Sequence, residues 1–371
     1  MNPEHVHKIL IIKFFGIGSL VLAMPFFRAV RELFPNAEIH VLTLSSNAQV
    51  MKMIADVDRV QFVDLGANIV TAIWVYVGCM WRVFRMRFDA VIDMEFYTRA
   101  SAVVSLASWA RVRIGYHAQG VYRGSIQSHR VPFNSYWHVS RNFLSLLEPY
   151  GYVVRDKAPT PSLTVPNNIG ETLQNLLEDM GGEHARYIVI NVNAGELAFE
   201  RRWFPDRFAA LAVRLHQTYG FSCVFIGTAG ERDYVQAVVD DVLSQGGDAY
   251  NSAGDLDLAS MAQLCAKSLL MISNDSGPLH VAAASGVPVV GFFGPETPVL
   301  YGPAGTGHLV FYTAINCSPC INIEHGKRID CRYATPLCQD STSVDDAYCA
   351  IVEKYGDVLK QDVRIDAYSA P

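Results

Sequence analysis

No run in the 371-residue sequence stays apolar for the roughly 20 residues that a membrane-spanning helix needs. The longest, Ile69 to Trp81 (IVTAIWVYVGCMW), reads instead as a buried or interfacial helix. The opening MNPEHVHKILIIKFFGIGS lacks the charged start, apolar stretch and small-residue cleavage site of a secretory signal, so a cytoplasmic location is expected. No nucleic-acid recognition motif is present, and a net charge of −6 argues against such a partner. The chain is too long for a small disulfide-stapled fold and, at 50% hydrophobic and 18% charged residues, too apolar for a disordered one. It suits two globular domains of ordinary size.

The charge is unevenly placed. Residues 1–165 carry 17 Lys/Arg against 11 Asp/Glu, and the rest carries 13 against 25. Either this is chance variation of surface charge, or the first half meets something anionic, such as a phosphorylated lipid or the bilayer surface. Arg82, Arg85 and Arg87 directly follow the apolar run, where a peripheral contact with the inner membrane would use them.

Short, continuously apolar strands alternate with helix-like stretches, as in parallel sheets covered on both faces. KILIIKFF, EIHVLTL, RVQFVDL, AVIDME and RVRIGY form a first set, with a helix expected over residues 20–34. After the proline-rich APTPSLTVPNN the alternation resumes with YIVINVNAG, SCVFIG, LLMISND and PVVGFFGP. The expectation is an α/β chain with domains at 1–165 and 166–342 and a C-terminal helical segment at 343–371. Ligands of such folds bind beyond the carboxyl ends of the strands, which directs attention to the residues just after each strand.

Several of those residues are polar. Asp275, Ser276 and Gly277 follow LLMISN and precede an Ala-rich helix with Pro278 in its first turn. The unpaired N–H groups there can hold a phosphate, although Asp275 and Ser276 can equally be helix caps. Asn193 ends another strand. Arg201 and Arg202 precede a helix and suit a diphosphate, while Glu231, in a Gly-containing loop, can accept ribose hydroxyls or serve a helix N-terminus. GIGSLV after the first strand lacks the third glycine of a dinucleotide fingerprint, which weakens a nicotinamide-dependent reading.

In this order, FFGIGSLVLAMPFFRAVRELFPNAEIHVLT, NAG…RRWFPDRFAALA and NDSGPLHVAAASGVPVVGFFGPETPVLYGP resemble the ADP-heptose:lipopolysaccharide heptosyltransferases, glycosyltransferase family 9. The resemblance implies a GT-B fold, two Rossmann-like domains facing across a cleft. It also implies inverting transfer of a sugar from a nucleotide diphosphate donor to a glycan or glycolipid acceptor, with no cofactor. By the same resemblance, Asp275 meets the donor ribose or sugar, Ser276 and Gly277 the phosphates, Arg201 stands where the family often has a phosphate-binding lysine, and Glu231 lies near its ribose-binding glutamate. The C-terminal helix would cross back to the first domain.

One departure matters. The family's first loop reads Gly-Asp, and that aspartate is the proposed base; here Gly18 is followed by Ser19. A hydroxyl without a paired base cannot take a proton at neutral pH as a carboxylate can. Glu95, after AVIDM in the same domain, is the replacement candidate, the other reading being a structural carboxylate paired with Arg99. Ser19 then bonds the acceptor or a phosphate, and Gly18, Arg99 and Arg123 belong to the acceptor side. A non-catalytic sugar-nucleotide or glycan binding protein of the same fold is the competing reading, supported by Ser19. Cys317, Cys320, Cys331 and Cys338 are spaced C-x2-C-x10-C-x6-C, which leaves open a structural zinc site beside free thiols or disulfides.

Overall fold

The computed structural model describes residues 3–64, 68–117, 123, 125–165, 168–195, 198–321, 329 and 331–360. Among them are two six-stranded, all-parallel sheets. The first contains β1 (Lys8–Ile12), β2 (Glu38–Leu44), β3 (Arg59–Val63), β4 (Ala90–Asp93), β5 (Val112–His117) and β6 (His129–Pro132), in the order β3-β2-β1-β4-β5-β6. The second contains β7 (Tyr187–Asn191), β8 (Ser222–Phe225), β9 (Ala249–Asn251), β10 (Met271–Asn274), β11 (Val289–Phe292) and β12 (Leu309–Phe311), in the order β12-β11-β10-β7-β8-β9. Both are doubly wound. The strand order reverses between β1 and β4 in one sheet and between β7 and β10 in the other, the places where such sheets open a crevice for a ligand.

The apolar strands form because both faces are covered. Ile9, Leu10, Ile11 and Ile12 of β1 are all fully buried, and so are all the residues of β4. The expected helix over 20–34 is divided into Ile17–Leu22 and Met24–Leu33, with Pro25 in the first turn of the second, where its missing N–H costs nothing. Strands β6, β9 and β12 were not expected. They are short edge strands, and only partly buried, so their apolar pattern is weak.

The chain divides after Pro161, slightly before the expected boundary at 165. Leu163 N already donates to Ala284 O in the second unit, 2.9 Å away. The C-terminal helix, Val344–Lys360, packs within the second unit. Ala347, Ile351, Tyr355 and Leu359, spaced by four, lie in the core of the second unit beside the helix Pro205–Tyr219. Arg186 fixes the helix end by donating to Leu359 O at 2.6 Å. Apolar burial along that stripe holds the described part of this segment on the second sheet; residues 361–371 lie outside the described residues.

Candidate active site

At the crossover of the first sheet, two buried charges lock the turn after β1 to the end of β4. Glu95 Oε1 accepts from Lys13 Nζ at 2.8 Å, from Phe14 N at 2.8 Å and from Phe15 N at 3.2 Å. Lys13 Nζ also donates to Phe15 O at 2.6 Å. The side chains of Lys13 and Glu95 are 4% and 0% exposed. Gly16 then takes φ +91°, a left-handed value that suits glycine, and turns the chain into the helix carrying Gly18 and Ser19. Gly18 is buried and Ser19 half-buried. Glu95 Oε2 is buried and has no hydrogen-bond partner among the described residues.

Below Glu95 lies a second buried pair. Arg123 Nη2 stands 2.5 Å from Asp93 Oδ2 and 2.6 Å from Ser101 Oγ, Nε donates to Thr98 O, and Nη1 donates to Glu95 O. Burial pushes the Asp93 carboxyl up to about 6; the Arg123 charge pulls it down and the nearby Glu95 pushes it up further. These bonds correct the acceptor role expected of Arg123. Its guanidinium is spent on the protein's own atoms, as a strut beneath the β4 loop. The partner expected for the β4 carboxylates was Arg99, but Arg99 begins the helix Arg99–Ala107 and is exposed.

At the crossover of the second sheet, Asp275 is 2% exposed and pairs with Arg201. Arg201 Nη2 and Nε lie 2.8 and 3.1 Å from the same oxygen, Oδ2. Neither Asp275 nor Ser276 acts as a side-chain cap for the helix Gly277–Ala284. Ser276 Oγ accepts from Asn191 Nδ2 at 2.9 Å and lies 3.2 Å from Ser273 Oγ. That network holds the hydroxyl at the first turn of the helix, where Gly277 and Pro278 begin it. Asn193, after β7, donates to Ile226 O at 3.3 Å, and its Oδ1 is buried without a hydrogen-bond partner among the described residues.

The loop carrying Arg201 is anchored from behind. Trp203, fully buried, stacks on Phe292 at 4.1 Å, its backbone N–H reaches Asn274 Oδ1 at 2.8 Å, and its ring N–H reaches Thr342 O at 3.0 Å. Gln339 donates to Arg201 O at 2.9 Å. Sequence reasoning missed Trp203, Asn274 and Gln339, along with Lys13. The one available signal for Lys13 was a lone cation closing an apolar strand.

Two other expectations are modified. Arg202 does not extend freely: its guanidinium lies over the rings of Phe199 and Tyr234, 4.6 and 4.5 Å from their centroids. Glu231 closes a capping box with Thr228, accepting from its N–H at 2.8 Å and its hydroxyl at 2.9 Å through Oε2, while Oε1 is 4.0 Å from Arg202 Nη2. The four clustered cysteines are unpaired, and among the described residues no group of three or more His, Cys, Asp or Glu is placed to hold a metal ion. Cys338 is buried beside Gly294 and Cys320 is exposed.

Residues 79–328 match the family model of Glycosyltransferase family 9 (heptosyltransferase), about two thirds of the chain. The chain belongs to glycosyltransferase family 9. Among the relatives of this family member is the lipopolysaccharide core heptosyltransferase OpsX of Haemophilus influenzae, 22% identical over 306 residues that cover 81% of this chain and 82% of OpsX. A glycosyltransferase family 9 structure from Veillonella parvula superposes with a TM-score of 0.73 at 21% identity, covering 97% of this chain and 98% of that one. The ADP-heptose lps heptosyltransferase II of Escherichia coli superposes at 0.72 with 18% identity, covering 95% and 98%. The α/β architecture with two parallel six-stranded sheets is therefore that of the GT-B heptosyltransferases.

Proposed function

We propose that this glycosyltransferase moves a heptose from ADP-heptose to a lipopolysaccharide-core or related glycolipid acceptor, with inversion at the anomeric carbon. The observation that carries the reading is the pairing of Arg201 with Asp275 at the crossover of the second sheet, next to the helix N-terminus at Gly277. Arg201 neutralises charge developing on the departing diphosphate, helped by the first-turn N–H groups and Ser276. Asp275 Oδ1, which makes no hydrogen bond among the described residues, accepts from a donor hydroxyl. Support for ADP-heptose as donor comes from a structural neighbour that bears that name, the ADP-heptose lps heptosyltransferase II of Escherichia coli.

On the acceptor side, Glu95 is assigned the base through Oε2, with Lys13 balancing its charge through Oε1. The acceptor oxygen attacks the anomeric carbon as its proton passes to Glu95, and the bond to the diphosphate breaks on the opposite face. A cytoplasmic site of action fits the nucleotide-sugar donor. The full burial of Glu95 together with Ser19 favours one second reading, a non-catalytic sugar-nucleotide binding protein.

The test is thermal stability with ADP, UDP, GDP, CMP and NAD at equal concentration, followed by transfer assays with the selected donor. Ligand at 100 times its dissociation constant stabilises by about 2.7 kcal/mol, a shift of a few degrees. A selective ADP shift with turnover is expected. An ADP shift without turnover under any acceptor assigns the second reading, and no shift with ADP removes the donor assignment.

A further inference from the structure

The helix Ile69–Met86 is apolar around most of its circumference, and only part of it is covered. Cys79 and Val83 face the core, packed with Phe88 and Val104. On the outer side Val70, Ile73, Trp74, Val77, Trp81 and Phe84 are all exposed, Trp74 by 71%. Their spacing of three and four places them along one stripe about 21 Å long. The neighbouring helix Arg99–Ala107 widens it with Val103 and Leu106, and Trp109, 79% exposed, sets its ring 6.1 Å from that of Phe84. A contiguous apolar surface of this kind is uncommon on a freely tumbling protein.

Its charge is equally one-sided. Arg82, Arg85 and Arg87 at the end of the first helix, Arg99 at the start of the second and Arg111 after Trp109 are exposed, and no salt bridge joins any of them to a carboxylate among the described residues. Neither helix contains an acidic residue. No described helix is long and apolar enough to cross a membrane.

We infer that this face is a docking surface for an anionic lipid bilayer, on which the chain lies without spanning it. Tryptophan rings settle at the headgroup level, and arginines beside them meet anionic headgroups, so both features of the patch are matched by one partner. A second copy matches only one of them. A two-fold interface sets the same patch against itself, bringing arginine against arginine. The inference rests on the surface alone and goes beyond the sugar-transfer reading.

The test mixes the full chain, without donor or acceptor, with vesicles of phosphatidylcholine alone or with phosphatidylglycerol, and reads the sedimented fraction. Trp74, Trp81 and Trp109 are three of the five tryptophans, so quenching of intrinsic fluorescence by brominated phosphatidylglycerol reports insertion of the patch in the unaltered protein. Binding to anionic vesicles is expected, weakened by 0.5 M salt, reduced at least tenfold by Trp74→Glu/Trp81→Glu and by Arg82→Glu/Arg85→Glu at unchanged far-ultraviolet dichroism, and accompanied by quenching. Absence of sedimentation and quenching with the unaltered protein would overturn the inference. So would a dimer in light scattering that Trp81→Glu splits into monomers, which assigns the face to self-association. Because no sugar chemistry enters the assay, its failure leaves the donor reading untouched.

Discussion

Arg201 reaches across 74 residues of sequence to Asp275 and sets two nitrogens, at 2.8 and 3.1 Å, against one carboxylate oxygen. The pair joins the loop after β7 to the end of β10, the two strands that flank the crossover of the second sheet. Gln339 donates to Arg201 O, and Trp203 N–H donates to Asn274 Oδ1 behind the fork.

Removing that fork should weaken donor binding. A hydrogen bond to a charged group contributes about 1.5–3 kcal/mol, so Arg201→Met is expected to raise the ADP dissociation constant roughly 10- to 150-fold. Isothermal titration with ADP and with adenosine separates the roles, because only the ligand carrying phosphates should lose affinity. Equal losses for both would show that Arg201 merely shapes the loop.

Glu95 presents a different problem, since the same carboxylate that is assigned the base also ties down the turn after β1. Glu95→Gln keeps an acceptor for Phe14 and Phe15 but abolishes proton uptake. Turnover at saturating substrates is expected to fall by about 100-fold or more, while the ADP dissociation constant stays unchanged. Lys13→Met is the companion, as it breaks the buried pair and should lower stability by about 3–5 kcal/mol. Near-normal turnover of Glu95→Gln at saturating acceptor would remove the base assignment and leave Glu95 as a clamp.

Burial of Asp93 gives a prediction in pH. Its carboxyl is raised to about 6, so between about pH 4 and pH 6 the folded chain binds a proton that the unfolded chain has released. The contribution of this group to stability is therefore full below about pH 4, falls as the pH rises and is lost above about 6. Asp93→Asn cannot titrate. In urea unfolding at several pH values, the stability of the natural chain relative to Asp93→Asn should decline by about 2–3 kcal/mol across that window and stay level above it. A difference that grows with pH would reverse the sign and show that the Arg123 charge outweighs burial.

Much of this architecture can be read along the chain because the central strands are buried on both faces and carry nearly unbroken apolar runs. Strands β6, β9 and β12 escaped notice for the opposite reason, having an open edge and partial burial. The strand-end rule directed attention to Asp275, Ser276 and Asn193, and Arg201 to its place before a helix, but neither signal could show which polar groups consume one another. Arg123 looked free until its four bonds with Asp93, Ser101, Thr98 and Glu95 were placed, and those depend on residues 22 to 30 positions away. Glu231 showed the converse, where a local Thr-x-x-Glu spacing in the sequence already contained its capping box.

Gly227 and Asn193 allow a final test of how the second site is built. A Cβ at Gly227 would come within 2.8 Å of Asn193 Nδ2 and 3.2 Å of Val235 Cγ2, so Gly227→Ala must displace the amide from its bond to Ile226 O. If Asn193 Oδ1, buried and unpartnered, accepts from the donor, both Gly227→Ala and Asn193→Ala should weaken ADP-heptose binding by the worth of one neutral hydrogen bond, about 1 kcal/mol or roughly fivefold. The double variant should then be no weaker than the weaker single variant, because both changes remove the same contact. Additive losses would mean that Gly227 acts through Val235 and the helix Arg232–Ser244, and that the amide of Asn193 holds the loop after β7 rather than the donor.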